Sequence, residues 1–131
     1  MKNVVKIGVM SKETYIKRTI AIAKGQYKPC NDDPKIWFES MQSMAQVLSS
    51  ENQELLRIIQ DKNPGSVTEL EVLSHRKKSN LSRTLKVLER YGVVKFEETN
   101  GRRKKPLVTA TDFEVSFGLN TGVNDFDQAH A

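Results

Sequence analysis

The sequence predicts an α+β fold, and three observations carry it. Leu81, Thr84, Leu85, Leu88 and Tyr91 recur at helical spacing within Ser79 to Tyr91, read SNLSRTLKVLERY, which marks a helix with one apolar stripe. Directly after it, Val94 and Phe96 alternate with Lys95 ahead of Asn100-Gly101. That dipeptide is the strongest short hairpin signal, because a type I′ turn needs positive φ at both central residues. At the other end, Val4, Val5, Ile7, Val9 and Met10 form a β-favouring run, followed by a helix-forming stretch.

The 131 residues suit one domain, or one small domain with an arm. The pattern divides them into a strand-helix arm at 1–34, a main domain at 35–119 and a small, polar, mobile tail at 120–131. In the arm, Ser11 opens SKETYIKRTIAIAKG as a helix cap and Gly25 closes it. Tyr15, Ile16, Thr19, Ile20 and Ala23 share one face, with Lys12, Lys17, Arg18 and Lys24 elsewhere. That face could pack on its own domain, on a second copy or on another protein. GQYKPCNDDPK, broken by Pro29 and Pro34, reads as the joint to the main domain.

KIWF, residues 35–38, then reads as a short extended stretch in which Trp37 is expected to be core. Ser40 to Leu48 reads as a short helix with Met41, Met44, Ala45 and Leu48 inward. Ser50 and Gln53 suggest a capping box for ENQELLRIIQDK, whose buried side is Leu55, Leu56, Ile58 and Ile59 and which Asn63-Pro64-Gly65 stops. Thr68 and Glu71 suggest a second box, with Val67 stapled to Val72 and with Leu70 and Leu73 inward. Ser79 is the expected cap of the next helix and Gly92 its left-handed stop. A two-residue turn at Asn100-Gly101 would set Glu98 opposite Arg103 and Glu97 opposite Lys104. Phe113, Val115 and Phe117 alternate as a one-sided strand, joining either the hairpin or the strand near Val4. The order from Ser50 onward, helix, turn, helix, hairpin, is that of a winged helix-turn-helix.

Charge is unevenly spread. Residues 76–105 carry eleven Lys and Arg against Glu89, Glu97 and Glu98, whereas the chain from 106 onward has four acids and no cation. A cation cluster on a chain of net charge +5 is the footprint of polyanion binding, although a solvated basic face would read the same way. No apolar run approaches the roughly 18 residues of a membrane helix. The opening residues lack a secretory pattern, and a single cysteine, Cys30, suits a reducing compartment, so the cytoplasm is the expected location. Neither His75 nor His130 has a catalytic or ligand-spaced neighbour, and Cys30 has no metal partners at ligand spacing. No catalysis, cofactor or metal is expected.

The chemistry that fits is DNA recognition. Asn80, Ser82, Arg83 and Lys86 fall away from the leucine stripe. In a helix-turn-helix the start of the second helix enters the major groove, where Asn suits adenine and Arg suits guanine bidentately. Asn80 and Arg83 are the expected base readers. Ser82 and Lys86 would read bases or hold phosphates, and Lys77, Lys78 and Ser79 would hold phosphate at the helix start. Arg102, Arg103, Lys104 and Lys105 would follow the adjacent backbone or minor groove.

These residues carry a resemblance. TELEVLSHRKKSNLSRTLKVLERYGVVKF, 68–96, resembles winged helix-turn-helix regulators of the broad MarR-like class. With GRRKKP at 101–106 and FEVSF at 113–117 it is similar to a family of small prokaryotic transcriptional regulators. The likeness covers roughly 35–119 and is strongest over 66–106; SKETYIKRTIAIAKG also resembles that family's N-terminal arm. Members are often encoded beside a small toxin. The resemblance therefore implies a double-stranded DNA partner, autorepression as an antitoxin, and a cognate toxin held by the arm or the acidic tail; a homodimer is expected because one module offers limited interface, whereas two would read a palindromic operator about one helical turn apart. Two residues depart from the pattern: Glu71 replaces a small residue and His75 replaces a turn glycine. A small-molecule-responsive regulator and a protein-interaction module without DNA binding stand as the alternatives.

Overall fold

The computed structural model describes residues 3–99 and 103–118, with the backbone alone at Thr99 and Arg103. The element order is β1 (Val4–Val9), α1 (Lys12–Ala23), β2 (Ile36–Phe38), α2 (Met41–Val47), α3 (Ser50–Lys62), α4 (Val67–Ser74), α5 (Lys78–Arg90), β3 (Val94–Thr99), β4 (Arg103–Val108) and β5 (Asp112–Ser116). Helices and strands mix as the α+β expectation requires. Two compact units result: Val4–Met44 with the residues from Phe113, and Ala45–Asp112 with Asn3.

In the first unit, β1 and β2 pair in parallel, with Ile7 opposite Ile36, Gly8 opposite Trp37 and Val9 opposite Phe38. Parallel neighbours need a crossover, and α1 supplies it. This moves Ile36–Phe38 out of the main domain where the sequence placed it. The KIWF stretch is too short to stand alone, and its ladder partner lies in β1. β5 takes the other side of β1, giving the order β2-β1-β5, so it joins the strand near Val4 and not the hairpin. Gly8 leaves room for the Trp37 ring: a Cβ there would run into that ring and into Pro34.

The faces of α1 differ from the sequence expectation. Ser11 accepts from the Thr14 amide and caps the helix as expected. However, Ala21 and Arg18 are the buried residues, whereas Tyr15, Ile16 and Ile20 are exposed. Arg18 is held by its surroundings. Its guanidinium lies 5.0 Å from the Trp37 ring centroid and 5.6 Å from that of Tyr27, and its Nη2 donates to Asp33 Oδ2 at 3.1 Å. Asp33 also accepts from the Cys30 amide at 3.0 Å and the Tyr27 hydroxyl at 3.4 Å. A cation stacked on two aromatic faces and paired with a carboxylate can occupy an interior position. Met10, Ala21, Tyr27 and Trp37 pack as one small cluster around it.

In the second unit, α3 and α4 pack on β4, α5 packs on β3, and α4 packs on both α3 and α5. Leu55, Leu56, Ile59, Leu70, Leu81, Leu85, Leu88, Val93 and Val94 form the interior. The caps sit earlier than the sequence reading placed them. Ser49, not Ser50, accepts from the Asn52 amide, and Gln53 turns back to the Leu48 carbonyl. Ser66, not Thr68, accepts from the Glu69 amide, while the Glu69 carboxylate accepts from the Gly65 amide. With Val67 already helical, the staple does not form and Val72 is exposed. Similarly, α2 buries Val47, with Met41 and Ala45 exposed. On β5, Val115 is exposed and Phe113 half-buried, and Phe117, just past the strand's end, is exposed, so the alternation does not produce a buried side.

Candidate nucleic-acid interface

The sequence of α5 orients it without ambiguity. Leu81, Leu85 and Leu88 are buried, and each deeply buried leucine contributes about 1.5–3 kcal/mol. This fixes the rotation of a helix about 20 Å long. Lys77, Lys78, Ser79, Asn80, Ser82, Arg83 and Lys86 are consequently all exposed, together on the free side and first turn of one helix. Arg90, seven residues beyond Arg83, is exposed on the same side; the sequence reading missed it, although the two-turn spacing signals it. At the far end Gly92 takes φ 83, and the amides of Gly92 and Val93 bond the Glu89 and Leu88 carbonyls. This is a Schellman stop, as expected.

The start of α5 departs from expectation. The cap position is Lys77, not Ser79, and no side chain caps it. Ser79 lies inside the first turn, where its hydroxyl cannot reach the amides it was expected to satisfy. Leu81 to the Lys77 carbonyl is the first intrahelical bond, so the amides of Lys78, Ser79 and Asn80 precede the ladder. Elsewhere Ser11, Ser40, Ser49 and Ser66 bond first-turn amides, and Glu13, Glu51 and Glu69 lie in first turns. α5 has no first-turn acid and places Lys77 and Lys78 at the positive end of its dipole. This arrangement is unfavourable by itself and favourable once an anion lies there.

The approach to α5 is fixed by two residues. His75 takes the left-handed conformation, φ 59 and ψ 25, and its amide bonds the Glu71 carbonyl. Arg76, one residue on, donates from Nη2 to the Glu51 carbonyl at 2.6 Å and from Nη1 to Asn52 Oδ1 at 3.3 Å. It ties the α4–α5 turn to the start of α3. Arg76 therefore positions the turn and is withdrawn from the free cations. Nothing local in the sequence separates it from Lys77 and Lys78.

The hairpin register is one residue off the expected one. Glu98 faces Lys104, Glu97 faces Lys105 and Thr99 faces Arg103, because three residues, 100–102, join the strands instead of two. The Asn100-Gly101 turn and Arg102 fall outside the described residues. Strand geometry explains the register: it places Pro106 opposite Phe96 and Val108 opposite Val94, with Val94 and Pro106 fully buried. Pro lacks the ladder donor and is tolerated in a two-stranded ribbon, where each strand has a free edge. Lys104 is exposed and Lys105 half-buried. Among the described residues the ion pairs are Lys6–Asp32, Arg18–Asp33 and Arg57–Glu54, so none neutralises a cation of α5, Lys104 or Lys105.

Among the described residues no group of His, Cys, Asp and Glu could hold a metal ion, and no helix is long and apolar enough to cross a membrane. The described chain is thus an α+β protein in which α5 presents exposed cations beside a two-stranded ribbon. It belongs to the family HVO_A0114, whose model matches residues 47–115, more than half of the 131. That match runs from the last residue of α2 through α3, α4, α5, β3 and β4 into β5, and leaves out β1, α1 and β2. The family's name states no activity. No curated protein matches significantly, and no solved structure does.

Proposed function

We propose that the protein is a cytoplasmic, sequence-specific DNA-binding transcriptional regulator. In this reading α3, α4, α5 and the β3–β4 ribbon work as a winged helix-turn-helix of the MarR-like class. One observation carries it: the buried leucines of α5 leave Asn80, Ser82, Arg83 and Lys86 exposed together, beyond a helix start with no cap and no acid. Asn80 and Arg83 read base edges in the major groove. Lys77, Lys78 and the first amides of α5 hold a phosphate. Lys104 and Lys105, with Arg102 and Arg103, follow the neighbouring backbone.

The experiment is selection of a binding site from random duplex DNA, followed by anisotropy titration of the selected and scrambled duplexes. The reading expects the selected duplex to bind at least a thousandfold more tightly, the lower end of ordinary specificity. Equal affinity for both would refute it. Two finer proposals follow: a homodimer on a palindromic operator, because one module offers limited interface, and, from the resemblance, an autorepressing antitoxin holding a toxin. A co-transcribed small protein, toxic when expressed alone and neutralised by this chain, supports the second; a harmless or absent neighbour removes it.

A further inference from the structure

The buried leucines of α5 set its rotation about its own axis, but the place of its first turn depends on the chain that leads into it. That chain passes through His75, which is left-handed with φ 59. A side-chain-bearing residue keeps such a conformation where its surroundings hold it. Arg76 supplies holding contacts from outside the turn: its guanidinium donates both to the Glu51 carbonyl and to Asn52 Oδ1, in the first turn of α3.

The acceptor side is itself braced. The Asn52 amide donates to Ser49 Oγ at 3.2 Å, and Asn52 Nδ2 donates to the Val47 carbonyl at 2.9 Å. Hydrogen bonds therefore run unbroken from the end of α2, through the cap of α3, to the residue before Lys77, the cap position of α5. A planar fork with two donors in fixed relation sets both a distance and an angle, where one bond would leave a pivot. Asn80 and Arg83 lie four and seven residues beyond Arg76. Groups that read a ligand work only when held within about 0.5 Å and 10–20° of their productive geometry.

We propose that Arg76 is a positioning residue for base recognition: it aims Asn80 and Arg83 by tying the start of α5 to α3, and it does not touch DNA. This rests on the DNA-binding reading given above. The forked shape of the side chain carries the role, and its charge does not. A lysine at 76 keeps the charge and loses the fork, which separates this residue from Lys77 and Lys78 beside it.

The test compares Arg76→Lys, Arg76→Ala, Asn52→Ala and the double alanine variant, each as the full chain, with circular dichroism to confirm folding. Two quantities are read: the ratio of affinities for the selected and scrambled duplexes, and the slope of log affinity against log salt. A change that merely lowered stability would cut the active fraction for both duplexes alike and leave the ratio unmoved. Arg76→Lys and Arg76→Ala are each expected to lower the ratio about tenfold, roughly what one base reader supplies, with the slope unchanged. Asn52→Ala removes no charge; it is expected to lower the ratio in the wild-type background and to add nothing once residue 76 is alanine. Arg76→Lys and Asn52→Ala carry the test if the other variants do not fold. A slope that falls by about 1 in Arg76→Ala and recovers in Arg76→Lys would make Arg76 a phosphate contact and overturn the proposal. A ratio unmoved in Arg76→Lys, a loss confined to one new base pair, or losses from residues 52 and 76 that simply add also overturn it. In all these outcomes the wild-type chain still prefers the selected duplex. A wild-type chain without that preference sinks the DNA reading, and this proposal with it.

Discussion

His75 sits where the backbone asks for glycine. Its φ of 59 costs a side-chain-bearing residue about 1–2 kcal/mol, while glycine returns about 0.5–1 kcal/mol through its freer unfolded chain. His75→Gly is therefore expected to raise stability by about 0.5–1 kcal/mol in urea melts, with His75→Asn close behind, since asparagine tolerates this region. Unchanged or lower stability would show that the imidazole makes a compensating contact. The departure from the turn glycine was thus legible as a residue, but its meaning became visible only with the dihedral. Arg83 is the residue on which recognition turns. Arg83→Ala should cost about 1–3 kcal/mol on the selected duplex and relax preference at one base pair. A uniform loss over all duplexes would demote it to a phosphate contact.

Elements with strong periodicity were legible, and their joints were not. The leucine stripe of α5 predicts its rotation, because three buried leucines outweigh any local preference. By contrast, competing serines blurred the starts of α3 and α4. Ser49 and Ser50 are both good caps, and only the placement of the first turn selects one. The hairpin register failed because Pro106 and Val108 had to meet Phe96 and Val94, a packing demand that overrode the Asn-Gly signal. In α1 the pattern misled: its apolar stripe is exposed, and the buried position belongs to Arg18, whose partners Tyr27, Asp33 and Trp37 come from the chain after the helix. No local pattern announces that clamp. Removing its carboxylate leaves a nearly buried cation unpaired, so Asp33→Ala should destabilise by about 3 kcal/mol. The Tyr27 hydroxyl titrates above its ordinary 10.0, first because it is buried and next because Asp33 is near. The folded state then favours the protonated phenol. That contribution is complete below pH 10 and disappears as pH rises through the raised value. Alkaline melts of Tyr27→Phe should lack that loss of stability, and an identical alkaline slope would assign it elsewhere.

At the scale of the whole molecule, the net charge of +5 is less informative than the partners the charges keep. Arg18, Arg57 and Lys6 are paired with carboxylates and Arg76 is tied to α3; the cations of α5 and Lys104 remain exposed, as do Lys12, Lys17 and Lys24 of α1 and Lys95 of β3. Exposed, unpaired cations next to a polyanion release counterions on binding, and the dependence on salt counts them. If about six meet phosphates, affinity for any duplex should fall on the order of a thousandfold between 50 and 200 mM salt. Lys104→Ala should lower the slope of log affinity against log salt by about 1 and weaken selected and scrambled duplexes alike. Arg83→Ala should do the reverse, eroding the difference between duplexes more than the slope. Arg57→Ala, which removes a cation already paired with Glu54, should leave the slope unchanged. A slope that falls equally for Lys104 and Arg57 would mean that affinity follows net charge alone, and that the free side of α5 plays no directed part in holding DNA.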